Sequence, residues 1–265
     1  MELEIKLAAT APITEADVLD AVGALGEIGG VTRRRLWARY HDRADGFLRL
    51  AGWTLRCRDE GGPIVATVKG PGPIVAGVRS RSEDEVEVDV LAQPGDPLPD
   101  AVAEPLGRAG LPLATWPEVR FETDMQRCAI LVDLGDAVAE IAFDRGEVRA
   151  GDASVPVVEV EVELKSGAPE AIAPFAAALA ARLPVRPAAR SKAAWGGFLT
   201  GVLRAYAAPP DDASPALLWE AWCELQDRLR DPDGAALEAE RDRVAALLGI
   251  TDDPWTPLAR LTEGP

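Results

Sequence analysis

The chain has 265 residues, of which 27% are charged and 48% hydrophobic, and a formal net charge of −16. That length and balance suit a globular protein of one large domain, or one domain with an appendage. The negative charge argues against nucleic acid or an anionic membrane surface as a general partner. Three scattered cysteines and one histidine, His41, argue against a disulfide framework, a structural zinc site or a histidine-based triad. A charged strand stands at residue 2 in place of an apolar leader, and no apolar run approaches the roughly 20 residues that span a bilayer. A reduced, soluble, cytoplasmic protein is expected.

Met1-Glu2-Leu3-Glu4-Ile5-Lys6 alternates. As a strand it places Glu2, Glu4 and Lys6 on one face and Leu3 and Ile5 on the other. Like-charged carboxylates in a row repel and are costly to bury. A hard divalent cation between them relieves that cost; a solvated edge strand is the alternative. Thr14 is suited to cap a helix over 15–28, ended by Gly29-Gly30. A strand over 31–41 carries Arg33, Arg35 and Arg39. Residues 42–46 read as a turn. Residues 48–58 read as a short turn region and a strand with Arg56 and Arg58 on one face. Glu60-Gly61-Gly62-Pro63 is a hairpin turn, and 64–69 returns with Thr67 and Lys69 on one face. Over 79–90, Arg79, Arg81, Glu83, Glu85, Glu87 and Asp89 share one parity. A loop over 93–100 leads to a short helix ending at Gly110.

The second half repeats the style. Strands are expected over 118–128, with Arg120 and Arg127, over 129–134 as its hairpin continuation, and over 137–145, with Glu140 and Asp144; Gly146 reads as a turn. Over 155–165, Glu159, Glu161, Glu163 and Lys165 alternate with Val158, Val160, Val162 and Leu164. Helices follow over 168–183 and from Arg190-Ser191-Lys192 to Tyr206. Residues 207–212 read as a linker, followed by amphipathic helices near 214–230 and 233–249. Residues 205–265 hold 13 acidic and 5 basic residues, so half of the net charge lies there. The expected organisation is a domain over 1–205 and a helical tail over 206–265.

About eight strands thus carry charge at period two. Outward-facing charge over an apolar core would explain one or two of them. For most strands together, a closed barrel with a polar lumen and an apolar outside covered by helices explains more. In such a lumen arginine and lysine would hold a polyanion. Carboxylates would hold Mg²⁺ or Mn²⁺ bridged to phosphate oxygen.

At this point the residues resemble a known family. Glu2-Leu3-Glu4-Ile5-Lys6 resembles the ExExK motif of the CYTH domain, the triphosphate tunnel metalloenzymes. In the same order, Tyr40-His41-Asp42 resembles its Tyr-Phe-Asp segment, and Leu55-Arg56-Cys57-Arg58 its Leu-Arg-x-Arg strand. Thr67-Val68-Lys69-Gly70 resembles Thr-x-Lys-Gly, and Arg81-Ser82-Glu83-Asp84-Glu85 resembles Arg-x-Glu-x-Glu. Glu140, Asp144 and the run Glu159 to Lys165 resemble the acidic strands of the second half, and Ser191-Lys192 the closing Ser-Lys. The resemblance covers about residues 1–200 and is closest to bacterial inorganic triphosphatases.

The resemblance implies an α+β fold: an eight-stranded antiparallel β-barrel forming a tunnel, helices outside, and here a short C-terminal helical appendage. It implies that Glu2, Glu4, Glu159 and Glu161 bind Mg²⁺ or Mn²⁺. It implies that Lys6, Arg56, Arg58, Lys69, Arg81, Arg127 and Lys192 contact phosphates, and that Glu140, Glu159 and Glu161, with Lys6, act in catalysis. The expected activity is hydrolysis of inorganic triphosphate to diphosphate and phosphate. An organic triphosphate hydrolase or cyclase (thiamine or nucleoside triphosphate) and a non-catalytic polyphosphate-binding module are the alternatives. The expected partner is a triphosphate-bearing small molecule, with no nucleic acid and no membrane.

Three departures stand out. Ala193-Ala194-Trp195 follows Ser191-Lys192 where the family often has arginine and glycine. His41 replaces phenylalanine, as a packing change. The tail has no histidine and is not expected to form the histidine-rich helical module that often follows such domains; its helices are expected on the barrel or at a homodimer contact.

Overall fold

The computed structural model describes residues 2–72, 74–75, 78–202, 206–231 and 234–250; the side chains of 2, 74, 75, 78–81 and 216 lie outside that description. Two expected site residues, Glu2 and Arg81, are therefore placed by backbone alone.

Strand β1 (Glu2–Ala9) precedes helix α1 (Glu15–Gly23). A capping box starts the helix: Asp17 N–H donates to Thr14 Oγ1 at 3.3 Å, and Thr14 N–H to Asp17 Oδ2 at 2.8 Å. The helix ends before Gly29-Gly30, the expected stop. The chain turns near Gly26, where a Cβ would lie 2.6 Å from Val132 and 2.8 Å from the Asp133 carbonyl oxygen. Gly29 and Gly30 fall inside β2 (Glu27–His41), at a register shift between Ile28 and Gly30. Asp42 then accepts from the amides of Arg43, Leu48 and Arg49 at 2.8–3.0 Å, which fixes the loop entering α2 (Phe47–Leu50).

Next come β3 (Thr54–Asp59) and β4 (Ile64–Lys69), joined through Gly61 at φ 81°. β5 (Ile74–Val75), β6 (Val78–Arg81), β7 (Glu83–Val88) and α3 (Asp100–Arg108) complete the first half. The second half is a meander of β8 (Val119–Asp133), β9 (Ala137–Ala150) and β10 (Ala153–Gly167). Two expectations are corrected here. No break divides 118–134, because no Gly or Pro interrupts it, and Gly146 is no turn. It sits inside β9, where any Cβ would run into the Asp124 carbonyl oxygen of β8. The glycine permits close strand approach.

The helices after β10 are shorter than expected: α4 spans Ile172–Ala180, and α5 spans Lys192–Leu199 rather than reaching Tyr206. Gly201 at φ 70° turns the chain away after α5. A short strand, β11 (Val185–Pro187), lies between α4 and α5, and α6 (Pro215–Arg228) and α7 (Glu238–Leu248) end the described chain. No helix among the described residues is long and apolar enough to cross a membrane.

The strands form one antiparallel sheet in the order β5-β6-β1-β10-β9-β8-β2-β3-β4-β7, with β11 added beside β1. With its flanking helices this is an α+β fold. Its path starts from the β5–β6 side and ends at β7. Yet β6 and β7 are consecutive, separated by Ser82 alone, with β6 paired to β1 and β7 to β4.

One face of each long strand is apolar and covered. Val160 and Val162 of β10 and Ile130 of β8 are fully buried, in one cluster with Val18 of α1, Leu179 of α4 and Trp219, Trp222 and Leu225 of α6. The tail helices therefore share the core of the sheet. A second cluster packs α3 on β3 and β4 through Val102, Leu106, Leu55 and Val68. The opposite strand parity is left for charged side chains.

Candidate functional site

A cavity of about 310 Å³ runs along this charged face. Glu4 and Lys6 come from β1, Arg34 and Tyr40 from β2, Arg56 and Arg58 from β3, and Thr67 and Lys69 from β4. Glu83 and Glu85 come from β7, Arg127 from β8, Glu140 from β9, Glu161, Glu163 and Lys165 from β10, and Lys192 from α5. Period-two alternation brings these residues together. It also sends others outward: Arg33 pairs with Glu15, Arg35 with Asp124, and Arg39 with Glu122.

The inner part is a network of three carboxylates and three cations. Asp144, Glu159 and Glu161 each bring one carboxylate oxygen within 4.8 Å of the others, a group that could hold a metal ion. Lys192 Nζ lies 2.7 Å from Asp144 and 3.4 Å from Glu161, and also pairs with Glu159. Lys6 pairs with Glu161 and stands 3.3 Å from Glu159. Arg127 Nη2 lies 2.6 Å from both Asp144 and Glu161.

Burial opposes the charges on Lys6 and Lys192, but the surrounding carboxylates outweigh it and hold both pKa values above the usual lysine range. Burial likewise opposes ionisation of Asp144 and Glu161, and is outweighed: Lys192 and Arg127 hold Asp144 down, and Lys192, Lys6 and Arg127 hold Glu161 well below the carboxylate range. At Glu159 burial prevails and raises the pKa.

A second row lies one pleat away. Glu4 is opposite Glu163, and Glu163 is opposite Glu140, on three neighbouring strands. Lys165 is 2.9 Å from Glu163 and 3.7 Å from Glu140. Directly opposed like charges destabilise a ladder, and Lys165 offsets part of that cost here.

Arg56 and Arg58 crowd the far wall. Arg56 Nη2 donates to Thr67 Oγ1 at 3.0 Å and lies 3.4 Å from Glu85; Arg58 pairs with Glu60. Burial and then neighbouring Arg56 pull the Arg58 pKa below the usual arginine value. The Nε atoms of both arginines are buried with no hydrogen-bond partner among the described residues. Lys69 is 2.9 Å from Glu83.

Of the expected site residues, Glu4, Lys6, Arg56, Arg58, Lys69, Arg127, Glu140, Glu161 and Lys192 line one cavity. Glu159 lies beyond the lining and is tied to Lys6 and Lys192. The backbone of β1 and β6 sets Glu2 opposite Arg81, whose side chains lie outside the described residues. Sequence reasoning misses Arg34, and it places Asp144 and Glu163 on the acidic strands without giving either a role in the site. Asp144 has a local signal, since it shares the parity of Glu140. His41 points elsewhere: Nδ1 is 3.0 Å from the Pro117 carbonyl oxygen, its ring meets Trp116 edge-on, and burial lowers its pKa.

No protein-family model matches the chain. The inorganic triphosphatase of Haemophilus influenzae is 33% identical over 138 residues, 48% of this chain and 35% of that protein. The resemblance to the triphosphate tunnel family holds. The chain spans about a third of the length of this curated relative. Among solved structures, a putative adenylyl cyclase from Hippeastrum, described as having a dominant triphosphatase activity, gives a TM-score of 0.53 at 19% identity, over 77% of this chain and 97% of that one. At that identity the likeness is one of fold. A putative adenylate cyclase of Bacillus halodurans gives 0.42 at 15%, over 63% and 81%, too low a score to build on.

Proposed function

We propose that this protein is a metal-dependent triphosphatase that hydrolyses inorganic triphosphate to diphosphate and phosphate. The observation that carries the reading is the convergence of Arg34, Arg56, Arg58, Lys69 and Arg127 on one cavity of about 310 Å³, with Lys6 and Lys192 held in the charged form beside them. A polyanion with many acceptor oxygens answers such a gathering of arginine and lysine side chains. The closed eight-stranded tunnel is part of the proposal. Ser82 alone links β6 to β7, so one bent strand would complete a ring with β1, β10, β9, β8, β2, β3 and β4.

The carboxylates present fit a hard cation, since they offer only oxygen ligands. Glu4, Glu163 and Glu140 stand directly opposite one another on three neighbouring strands, an arrangement of like charges that a cation between them relieves. We therefore place Mg²⁺ or Mn²⁺ with Glu4 and Glu163, and with Glu2 on the same strand parity. When bound, the ion supplies positive charge to phosphate oxygens.

The chain's own residues do the rest. Arg56, Arg58, Lys69 and Arg127, with Arg81 by resemblance, grip the non-reacting oxygens and neutralise charge that spreads in the transition state. Lys6 and Lys192 do the same from the opposite wall, held there by Glu159, Glu161 and Asp144. Glu140 orients a water. Its oxygen bonds to the terminal phosphorus, the bridging P–O bond breaks, and the water's proton leaves to solvent through the carboxylate. Diphosphate departs with the bond electrons.

The test is a panel of tripolyphosphate, thiamine triphosphate, nucleoside triphosphates and long-chain polyphosphate, each with Mg²⁺ or Mn²⁺. Highest kcat/KM on tripolyphosphate supports the proposal. Highest kcat/KM on an organic triphosphate moves it to that substrate, and tight binding without turnover refutes catalysis.

A further inference from the structure

The geometry points to Asp227, on the tail helix α6, as a positioning residue that sets Lys192 in the cavity. This rests on the triphosphatase reading for its kinetic consequence, though the contact itself does not. Asp227 is only 4% exposed. Its Oδ2 accepts the backbone amides of Ala189 at 2.9 Å and Arg190 at 2.7 Å, and its Oδ1 accepts from Arg186 Nη2 at 2.6 Å. One carboxylate thus gathers three donors from the segment that ends at Ser191-Lys192.

The anchored segment is short and leaves little slack. Arg190 forks onto Asp231 at 2.9 and 2.6 Å, and its guanidinium lies 4.3 Å from the Trp195 ring centre in α5. Ser191 caps α5 by accepting the Ala194 amide at 3.2 Å. Lys192 is the first residue of α5, so the direction of its side chain follows from where 189–191 are held. On the other side, Ala188 N–H donates to the Lys6 carbonyl oxygen at 3.0 Å. The segment is therefore held between the tail and β1, and its placement governs how Lys192 meets Asp144 and Glu161.

Misplacing a charge-stabilising group by about 1 Å can cost on the order of a hundredfold in rate. The backbone amides that Asp227 receives are buried donors that need a partner, and asparagine keeps one acceptor oxygen in nearly the same shape. Asp227→Asn is thus the mild variant and Asp227→Ala the severe one.

The experiment uses the full chain. Tripolyphosphate hydrolysis with Mg²⁺ or Mn²⁺ gives kcat and KM; amine labelling with acetic anhydride, read by mass spectrometry, gives the reactivity of Lys192 against Lys165 as reference; thermal unfolding reports the fold. Expected for Asp227→Asn are a kcat lower by at least about tenfold with KM changed by less than about threefold, Lys192 labelling faster by at least about threefold, unchanged Lys165 labelling, and cooperative unfolding. Wild-type kcat or wild-type Lys192 labelling, either alone, overturns the inference. So does loss of cooperative unfolding in both variants, which would make Asp227 a stability residue only. An inactive wild-type protein refutes the triphosphatase reading instead, and Lys192 labelling then decides the positioning by itself.

Discussion

Arg127 on β8 and Asp144 on β9 form a forked ion pair, Nε to Oδ1 at 2.7 Å and Nη2 to Oδ2 at 2.6 Å, between residues directly opposite in the ladder. Asp144 is fully buried and also serves Lys192. Asp144→Asn would leave two buried cations short of one counter-charge. Removing one partner of a buried pair typically costs about 3–5 kcal/mol. Urea denaturation of this variant should show a loss of that order; a change within about 0.5 kcal/mol would place it with ordinary surface substitutions and contradict the network.

Glu4 and Glu163 carry the proposed metal. Glu4→Gln and Glu163→Gln should each weaken Mn²⁺ affinity by at least about tenfold, the scale seen when even outer-shell partners are lost. Calorimetric Mn²⁺ titration in the presence of a non-hydrolysable triphosphate analogue measures it. Unchanged affinity in both variants, with weakened affinity in Glu159→Gln, would move the ion to the inner cluster.

Arg58 is a cation beside cations. Arg58→Gln should raise KM for tripolyphosphate by about tenfold or more, as expected for one charge-assisted contact. Because burial and Arg56 already disfavour its charge, the melting temperature should stay level or rise. A lower melting temperature with unchanged KM would make Arg58 structural.

Stability should depend on pH at both ends. Asp144 and Glu161 have depressed folded pKa values, so their contribution is full above the unfolded carboxylate pKa of about 4 and lost as pH falls through the folded values. Glu159 is raised; its contribution is full below the unfolded value and lost as pH climbs through the folded one, which blunts the acid limb. Lys6 and Lys192 are raised, so theirs is full below the unfolded lysine pKa of about 10.4 and lost as pH rises through the folded values. Denaturation free energies against pH should show a shallower acid limb in Glu161→Gln.

Charge balance in the inner network also separates folding from metal. EDTA should stop hydrolysis and leave the melting temperature within about 2 °C, because the three carboxylates keep their three cations. Mg²⁺ with tripolyphosphate should raise it well beyond Mg²⁺ alone. A large fall with EDTA would show that the ion is structural.

The parity of a strand is fixed by its backbone, which is why Glu4, Lys6, Arg56, Arg58, Lys69, Arg127 and Glu161 are legible as one face before any contact is known. Arg34 is not. Arg33, Arg34 and Arg35 are consecutive, so β2 has cations on both faces, and only the pairing of Arg34 with Arg127 shows which one turns inward. Gly146 reads as a turn because a lone glycine looks the same locally whether it bends a chain or admits a neighbouring backbone. The row of Glu4, Glu163 and Glu140 depends on register across three strands, and strand spacing alone does not set register. Asp227 is invisible for a similar reason: its partners lie 37, 38 and 41 residues away in sequence, beyond any helical or strand period.

The most direct measurement is phosphate release from tripolyphosphate by the purified full chain, with and without Mg²⁺ or Mn²⁺, beside Glu4→Gln. Metal-dependent release by the wild type, nearly abolished in Glu4→Gln while its melting temperature holds, is the predicted result. Equal release by the two proteins, or none from the wild type with either metal, would contradict the proposed function.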